Sequence, residues 1–188
     1  LLNFCTVELS AFYFDIRKDT LYCDPKNSQK RKSTLLLLNI ILNSLTRWFA
    51  PILSFTTEEI YQLISKDKKS IHLENFLNFP EKLENSELNS KWEKLLKIRD
   101  VCNLSIEEKR ASKVIGSSLE AALFIKLGKS DQNIVKGVDL AELCITSSVE
   151  IEDSENNEIT VKTTKAEGEK CPVCWKISTS PCERHHVK

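Results

Sequence analysis

The chain has 188 residues, with 27 basic and 27 acidic side chains and an apolar share of 41 %, as is typical of a globular protein with a core. Its start lacks the basic region and cleavage site of a signal peptide, and the apolar run at residues 35–55 carries Asn39, Asn43, Arg47 and Pro51. We therefore expect neither a secretion signal nor a membrane span. Because the chain lacks Met and starts with Leu, we expect it to be part of a longer polypeptide.

Apolar periodicity predicts three helices in the first 80 or so residues. The first is expected to be mostly buried, because apolar side chains recur at three- and four-residue spacing: Leu2, Cys5, Leu9 and Phe12. The second should run from Ser28 to Ala50, where Pro51 ends it, with one apolar face: Leu35, Leu38, Leu42, Leu45 and Phe49. The third should begin at Thr56, whose hydroxyl and Glu59 would form a capping box. Helices of this length with short links favour an antiparallel bundle.

The second half of the chain changes from a helical to a β period. After a looser linker at residues 72–85, residues 85–116 predict one long helix with Gly116 as its stop. The segments AALFIKL, LCITSSVEI and ITVKTT are short, β-prone and separated by turn residues, so we predict three strands. The fold class is therefore mainly α, with a helical bundle, a small α+β unit and a terminal knuckle. The predicted domains are residues 1–82, 83–168 and 169–188.

The seven cysteines fall into two groups. Four stand singly among apolar residues and are typical of small buried hydrophobic side chains: Cys5, Cys23, Cys102 and Cys144. The other three lie within the last eighteen positions. An odd number with one cluster favours a reducing, cytoplasmic compartment and one metal site over a disulfide framework.

The knuckle, residues 169–188, contains the sequence KCPVCWKISTSPCERHHVK with metal-ligand spacing. Two residues separate Cys171 from Cys174 and Cys182 from His185, and a Zn²⁺ ion prefers a tetrahedral set of such ligands. Four protein ligands leave no position for a catalytic water, so we predict one structural zinc ion. His186 is the alternative fourth ligand. A redox Cys-x-x-Cys pair and unpaired free thiols are the competing interpretations.

Charge is unevenly distributed along the neutral chain. Residues 17–32 hold six basic and two acidic side chains, residues 91–113 hold seven and four, and residues 139–158 hold seven acidic ones without Lys or Arg. Helical segments rich in Lys and Arg usually present these side chains to solvent. Clustered on one side of a bundle, they could hold phosphates.

Four sequence blocks resemble the C-terminal part of bacterial isoleucyl-tRNA synthetase in the family's order: LLNFCTVELSAFYFDIRKDTLYCD, LTRWFAPILSFTTEEIY, KVIGSSLEAAL and TKAEGEKCPVCW. The resemblance implies a helical anticodon-binding domain, a junction domain and a zinc-binding module. It implies a parent ligase that uses ATP and Mg²⁺ in catalytic and editing domains outside this chain, so no catalytic residue is expected here. The family's knuckle usually has two Cys-x-x-Cys pairs with a longer spacer, whereas this chain has Cys-x-x-His in the second pair.

The resemblance further implies that the chain grips the anticodon arm of isoleucine tRNA, and it implies no contact with DNA or a membrane. Cations would contact phosphates and splayed bases would be read by stacking and hydrogen bonds. The candidate cations, each of which could equally be a solvated surface charge, are Arg17, Lys18, Lys30, Arg31, Lys32, Lys176 and Arg184. Trp175, directly after the second ligand, either covers the metal site or stacks on a base.

Three other classes of protein remain as alternatives. A stand-alone zinc-dependent protein-interaction module would explain the knuckle and the acidic strands, but it leaves the basic helices unexplained. A valine or leucine synthetase would share the bundle, but we would not expect the knuckle. A thiol redox protein would need an exposed cysteine of low pKa.

Overall fold

The computed structural model describes residues 1–66, 69–154, 158–182 and 184–185. The chain forms two compact units: Leu1–Asp19 with Asn85–Lys188, called unit 1, and Thr20–Glu84, called unit 2. The expected mainly helical fold with a small β unit is confirmed. The units divide the chain differently from the predicted domains, because the first helical residues belong with the long helix. Phe12 contacts Trp92 edge-on, with ring centroids 6.3 Å apart, and Ile16 joins the same core.

The chain begins with a π-helix, Phe4–Phe14, which continues into α1, Asp15–Cys23. In the π-helix only Leu9 is buried, and Leu2, just before it, is 77 % exposed. The prediction of a mostly buried helix is therefore wrong. A π-helix bonds residue i to i+5, so its turn is longer than 3.6 residues and a three- and four-residue spacing does not stay on one face.

The predicted long helix is present as α4, Ser86–Ala111, and provides one layer of the unit 1 core. The predicted stop at Gly116 is wrong, because the helix ends at Ala111 and Lys113 adopts a left-handed φ of 57°. The side chain of Asn85 caps it by accepting a hydrogen bond from the Leu88 N–H at 2.9 Å. Its buried face packs on the sheet through Leu95, Ile98, Cys102 and Ile106. Cys102 and Cys144 are buried as predicted, whereas Cys5 and Cys23 are half-buried.

Three strands form the sheet of unit 1: β1, Ala121–Leu127; β2, Ser148–Asp153; and β3, Thr160–Lys165. Their spatial order is β2-β1-β3, with β2 parallel and β3 antiparallel to β1. Helices α5, Lys129–Val135, and α6, Leu140–Leu143, form the crossover between β1 and β2. We had expected a strand from residue 143. Instead the Asp139 side chain caps α6 by accepting from the Glu142 N–H at 2.9 Å, and the strand begins five residues later.

Unit 2 contains α2, Gln29–Phe49, and α3, Ser54–Ile64. Short 3₁₀ turns follow at Ile71–Leu73 and Glu81–Leu83, and another lies in unit 1 at Ser118–Glu120. The predicted end of α2 before Pro51 is confirmed. The predicted capping box is wrong: α3 starts two residues before Thr56 without a side-chain cap, and the Thr57 hydroxyl donates to the Leu53 carbonyl at 2.9 Å. A small core forms from Ala50, Tyr61 and Ile71.

The buried positions of α2 are polar rather than the leucines that the sequence favoured. Thr34, Ser44 and Thr46 are buried, and each hydroxyl donates to the carbonyl four residues earlier, at 2.6–2.9 Å. Leu35 is 50 % exposed and Leu42 38 %, so the predicted apolar face is only partly buried within unit 2. In the part of the chain that the structure describes, no helix combines the length and apolarity that a membrane crossing requires.

Candidate metal centre and nucleic-acid interface

A two-stranded hairpin presents the first pair of cysteines. β4, Glu169–Lys170, pairs antiparallel with β5, Ile177–Ser178. Between them the Cys171 N–H donates to the Lys176 carbonyl at 2.9 Å, and the Trp175 N–H donates to the Cys171 carbonyl at 3.0 Å. These bonds close the turn so that the Cys171 and Cys174 side chains converge on one point, and both cysteines are buried.

The second pair completes a four-residue cluster. The His185 N–H donates to the Cys182 carbonyl at 3.1 Å, which turns the chain back toward the hairpin. The ligand atoms of Cys171, Cys174, Cys182 and His185 all lie within 4.8 Å of one another. His186, the alternative fourth ligand, lies outside the described residues.

The cluster fits a tetrahedral zinc ion. Bonds of about 2.3 Å to sulfur and about 2.0 Å to nitrogen give tetrahedron edges of about 3.8 Å between sulfurs and about 3.5 Å between sulfur and nitrogen. The Cys174 and Cys182 sulfurs are 3.9 Å apart. His185 Nδ1 lies 3.6 Å from the Cys171 sulfur and 3.3 Å from the Cys182 sulfur. Both the donor types and their separations can therefore hold one metal ion.

The two cysteines of the hairpin differ in acidity. Burial raises the pKa of the Cys171 thiol, but backbone N–H groups of Cys174 and Val173, with the Cys174 and His185 side chains, outweigh burial and bring the pKa to about 6. Burial and the neighbouring thiols of Cys171 and Cys182 raise the pKa of Cys174 to about 12, although the backbone N–H of Lys176 lowers it. A metal ion binds the thiolate form. The lowered pKa of Cys171 favours its thiolate, and a metal that binds both cysteines would displace the Cys174 proton.

Two polar contacts attach the knuckle to other residues of unit 1. The Ser147 hydroxyl accepts a hydrogen bond from the Ile177 N–H at 2.7 Å, and Arg184 forms a salt bridge with Asp19. Arg184 was predicted to contact phosphate, and the structure places it in this ion pair instead of leaving it as a solvated charge. Sequence reasoning missed Ser147 and Asp19, because 30 and 165 residues separate them from their partners and no local pattern links such positions.

Trp175 projects from the knuckle. Its side chain is 58 % exposed, and its φ of 65° lies in the left-handed region that non-glycine residues rarely adopt. The Lys170 ammonium lies 5.3 Å from the ring centroid, within cation–π distance. Of the two predicted roles, an indole available to a ligand fits this exposure better than a cover for the metal site. Lys170 was missed as a candidate cation, and its only sequence signal is its position directly before Cys171.

A wide depression of about 860 Å³ lies beside the metal cluster. Its wall includes three cations of the knuckle, Lys170, Lys176 and Arg184, together with the hydroxyl-bearing residues 178–180. Lys176, a predicted phosphate contact, is half-buried, and its carbonyl accepts the hydrogen bond that closes the turn of Cys171 and Cys174. The knuckle therefore offers cations, hydroxyls and an exposed aromatic ring on one small module.

The candidate cations of the helices are divided between the two units. In unit 1, Arg17 forms a salt bridge with Glu142 at 3.0 Å, and Lys18 forms one with Asp15 at 2.8 Å. In unit 2, Lys30, Arg31 and Lys32 occupy the first turn of α2. The structure therefore does not bring the five predicted cations together in one compact unit.

The three cations of unit 2 differ in their contacts. Arg31 is half-buried and donates to the Asp24 carbonyl at 2.7 Å, while its N–H donates to the capping Ser28 hydroxyl at 3.4 Å. Arg31 thus stabilises the turn before α2, whereas Lys30 and Lys32 are exposed. Arg47, also in unit 2, pairs with Glu74 at 3.4 Å and donates to the Asn75 carbonyl at 3.1 Å, which assigns it a structural role.

Comparison with known proteins identifies the family. The family described as the anticodon-binding domain of tRNA ligase matches residues 1–125, more than half of the chain. The chain belongs to this family. The resemblance stated from the four sequence blocks is thereby confirmed for this anticodon-binding region, and the metal cluster lies beyond the matched residues.

Several similar curated proteins are isoleucine–tRNA ligases. The chain is 65 % identical to that of Pelagibacter ubique over 185 residues, which cover 98 % of the chain and 20 % of the relative. It is 42 % identical to those of Agrobacterium fabrum and Bradyrhizobium diazoefficiens over 190 residues, which cover 95 % of the chain and 20 % and 19 % of the relatives. The anticodon-binding region and its knuckle thus span about a fifth of the length of these relatives.

Proposed function

We propose that this chain is the C-terminal tRNA-binding part of a cytoplasmic isoleucine–tRNA ligase and that it recognises the anticodon arm of isoleucine tRNA. The observation that carries the proposal is the match to an anticodon-binding domain in a chain whose relatives are isoleucine–tRNA ligases. The parent enzyme would attach isoleucine to its tRNA with ATP and Mg²⁺, bound in domains outside these residues. This part binds RNA and has no catalytic role of its own.

The knuckle contributes one structural Zn²⁺, held by Cys171, Cys174, Cys182 and His185. The spacing of the four donor atoms supports this ion, and four protein ligands fill its coordination sphere. The metal holds the turn that carries Trp175 and Lys170. Because base–aromatic stacking accepts any base and a neighbouring cation attracts phosphate, this pair suits an unpaired nucleotide of the anticodon loop.

Phosphate contacts from the first turn of α2 position the RNA. Lys32 is the clearest candidate, because it is exposed and, unlike Arg31, has no role in holding the preceding turn. Phosphate contacts release counterions, so log Kd should vary linearly with the logarithm of the salt concentration.

The test is a salt titration of tRNA binding with wild-type chain, Lys32→Ala and Lys82→Ala. Lys82 is an equally exposed lysine in the 3₁₀ turn of unit 2 and serves as the matched control. We expect Lys32→Ala to reduce the slope by roughly 0.7–0.9 and Lys82→Ala to leave it unchanged. An unchanged slope in both variants would show that Lys32 does not contact phosphate.

A further inference from the structure

The sheet of unit 1 has one face that the core does not use. Leu123, Ile125 and Leu127 of β1 are buried against the helices, so the alternate residues of β1 point to the opposite face. On that opposite face Phe124 lies at the centre of the sheet. The register pairs it with Glu150 of β2 on one side and with Lys162 of β3 on the other.

The row Glu150–Phe124–Lys162 is open to solvent. Phe124 is half-buried, while Glu150 and Lys162 are exposed. A depression of about 450 Å³ is lined by Phe124 and Lys162 of this row and by the adjacent Lys126 and Glu152, with Thr160 and Val161, whereas Glu150 does not line it. In the part of the chain that the structure describes, neither Glu150 nor Lys162 forms a salt bridge, whereas the neighbouring Lys126 pairs with Glu152 at 3.4 Å. An aromatic ring between two unpaired opposite charges is thus presented by a rigid sheet.

The neighbouring row leaves space beside the ring. The register places Ala122 between Ser148 and Thr164, so the residues on this side of Phe124 are small, whereas Lys126 and Glu152 lie on its other side. A planar group can therefore lie on the ring from the Ala122 side without displacing a bulky side chain. An aromatic side chain on an open sheet is a suitable platform for an unpaired nucleobase, because every base has a π face.

The charges of Lys162 and Glu150 would orient a nucleotide that stacks on Phe124. An ammonium group at Lys162 attracts the phosphate of a nucleotide, and a carboxylate at Glu150 accepts hydrogen bonds from the edge of the base. A carboxylate has two acceptor oxygens and no donor. Guanine is the base that presents two adjacent donors, its N1–H and its N2 amino group, to such a partner. Cytosine and adenine present an acceptor nitrogen beside their amino group, which the carboxylate would repel.

We propose that the open sheet face binds one unpaired guanosine nucleotide of RNA, stacked on Phe124, with its base edge toward Glu150 and its phosphate toward Lys162. The proposal rests on the proposed RNA-binding function and adds a second point of contact, separate from the knuckle. It assigns the face to RNA because the row combines a stacking surface, a phosphate partner and a base-edge partner.

The test uses uridine-rich heptamer RNAs with one central guanosine, inosine or adenosine, titrated into the full chain by fluorescence anisotropy. Inosine lacks only the N2 amino group, so it should bind about tenfold more weakly than guanosine. Phe124→Leu keeps an apolar side chain of similar size but removes the π face, and should weaken guanosine binding about fivefold or more. Glu150→Gln should abolish the preference for guanosine over inosine. Lys162→Ala should weaken guanosine binding by removing the phosphate partner. Lys136→Ala, at an exposed lysine of the same unit, is the control and should leave binding unchanged.

Two outcomes would overturn the proposal. One is equal affinity for the three heptamers, and the other is an unchanged guanosine affinity in Phe124→Leu with the fold intact by circular dichroism. Binding of whole tRNA is measured alongside with the same variants. If the tRNA still binds while the heptamers do not discriminate, the sheet proposal fails and the proposed function stands. If the heptamers discriminate but the tRNA does not bind, the anticodon function fails instead.

Discussion

Gly168 shows at the residue scale how the backbone shapes the metal site. Its φ is +114°, a value that L side chains rarely adopt, and a β carbon at this position would meet the backbone of Ser178 and lie 2.5 Å from the Thr179 nitrogen. The two strands of the hairpin approach each other this closely only because residue 168 has no side chain. Gly137 also has a positive φ, of +78°, but a β carbon there meets nothing within 4 Å.

We predict that Gly168→Ala weakens zinc binding by distorting the hairpin, whereas Gly137→Ala leaves it unchanged. The control variant should lower stability by only about 1 kcal/mol, the conformational cost of a non-glycine residue at positive φ. Competition with a chromogenic chelator measures the zinc affinity of both variants. Equal affinities would show that the close approach at residue 168 does not determine the geometry of the metal site.

The clustering of the four candidate metal ligands was predictable from sequence, while the surrounding contacts were not. The spacing of Cys171, Cys174, Cys182 and His185 is local, so the pattern itself carries the information. The Arg184–Asp19 pair joins residues 165 positions apart, and only the folded chain brings them together. The exposure of Trp175 was left open by the sequence for the same reason.

At the scale of elements, Glu58 ties the loop after α3 to that helix. Its carboxylate accepts hydrogen bonds from the Ser70 hydroxyl at 2.9 Å, the Ile71 N–H at 2.9 Å and the Gln62 side chain at 2.8 Å. The bonds from Gln62 and Ser70, followed by the smaller effects of Ile71 and the nearby His72, hold the pKa of Glu58 below its usual value of 4.5 despite some burial.

We predict a pH-dependent stabilisation of unit 2 by Glu58. Because the folded-state pKa is the lower one, the stabilisation is complete above the unfolded pKa and is lost as pH falls through the folded pKa. Urea unfolding should therefore show wild type more stable than Glu58→Gln at pH 7, with a difference that shrinks below about pH 4.5. Glu59→Gln, at the exposed neighbouring residue, is the control and should show no such difference. A wild-type advantage that does not shrink as pH falls below about 4.5 would contradict the argument.

The positions of the helices were easier to predict than which of their side chains are buried. The span of α2 and the start of α4 follow from Ser28, Pro51 and Asn85, which act on the adjacent backbone. The buried face of α2 did not follow, because Thr34, Ser44 and Thr46 satisfy their hydroxyls within the helix and can be buried. The π-helical winding of Phe4–Phe14 has no signal that a 3.6-residue period could detect.

At the scale of the whole molecule, the knuckle is separate from both hydrophobic cores. The core of unit 1 contains residues up to Val161 and that of unit 2 contains Ala50, Tyr61 and Ile71, so none of the knuckle residues that the structure describes, 169–182 and 184–185, belongs to either. We therefore expect the proposed zinc ion to stabilise the knuckle together with its bonds to Ser147 and Asp19. Structural zinc binding in such small sites is worth roughly 10–16 kcal/mol near neutral pH.

Removal of the metal should disorder about the last 20 residues and leave the helices folded. We expect far-ultraviolet circular dichroism to keep its helical signal after chelation, while amide exchange in residues 169–182 rises. Reloading with Zn²⁺ should restore the protection, which controls for irreversible thiol oxidation. Loss of most of the helical signal would show that the cores depend on the knuckle.

The overall architecture was largely predictable, because helix and strand periods differ and because the terminal cysteines have a recognisable spacing. The division into compact units was not. Phe12 and Ile16 are near the start of the chain but pack with α4, which follows some 70 residues later, and periodicity does not reveal which faces meet. The α6 helix at Leu140–Leu143 was missed because a single turn is too short to show a period.

The most direct test of the central claim is a titration of this chain with isoleucine tRNA and with an unrelated tRNA at low and moderate salt. We predict tighter binding of isoleucine tRNA at both salt concentrations, because base contacts carry sequence information that phosphate contacts lack. Both affinities should fall with salt, by roughly 0.7–0.9 in the log–log slope for each phosphate contact. Equal affinity for the two tRNAs would contradict anticodon recognition. Absence of binding at every ionic strength would favour a zinc-dependent protein-interaction module instead.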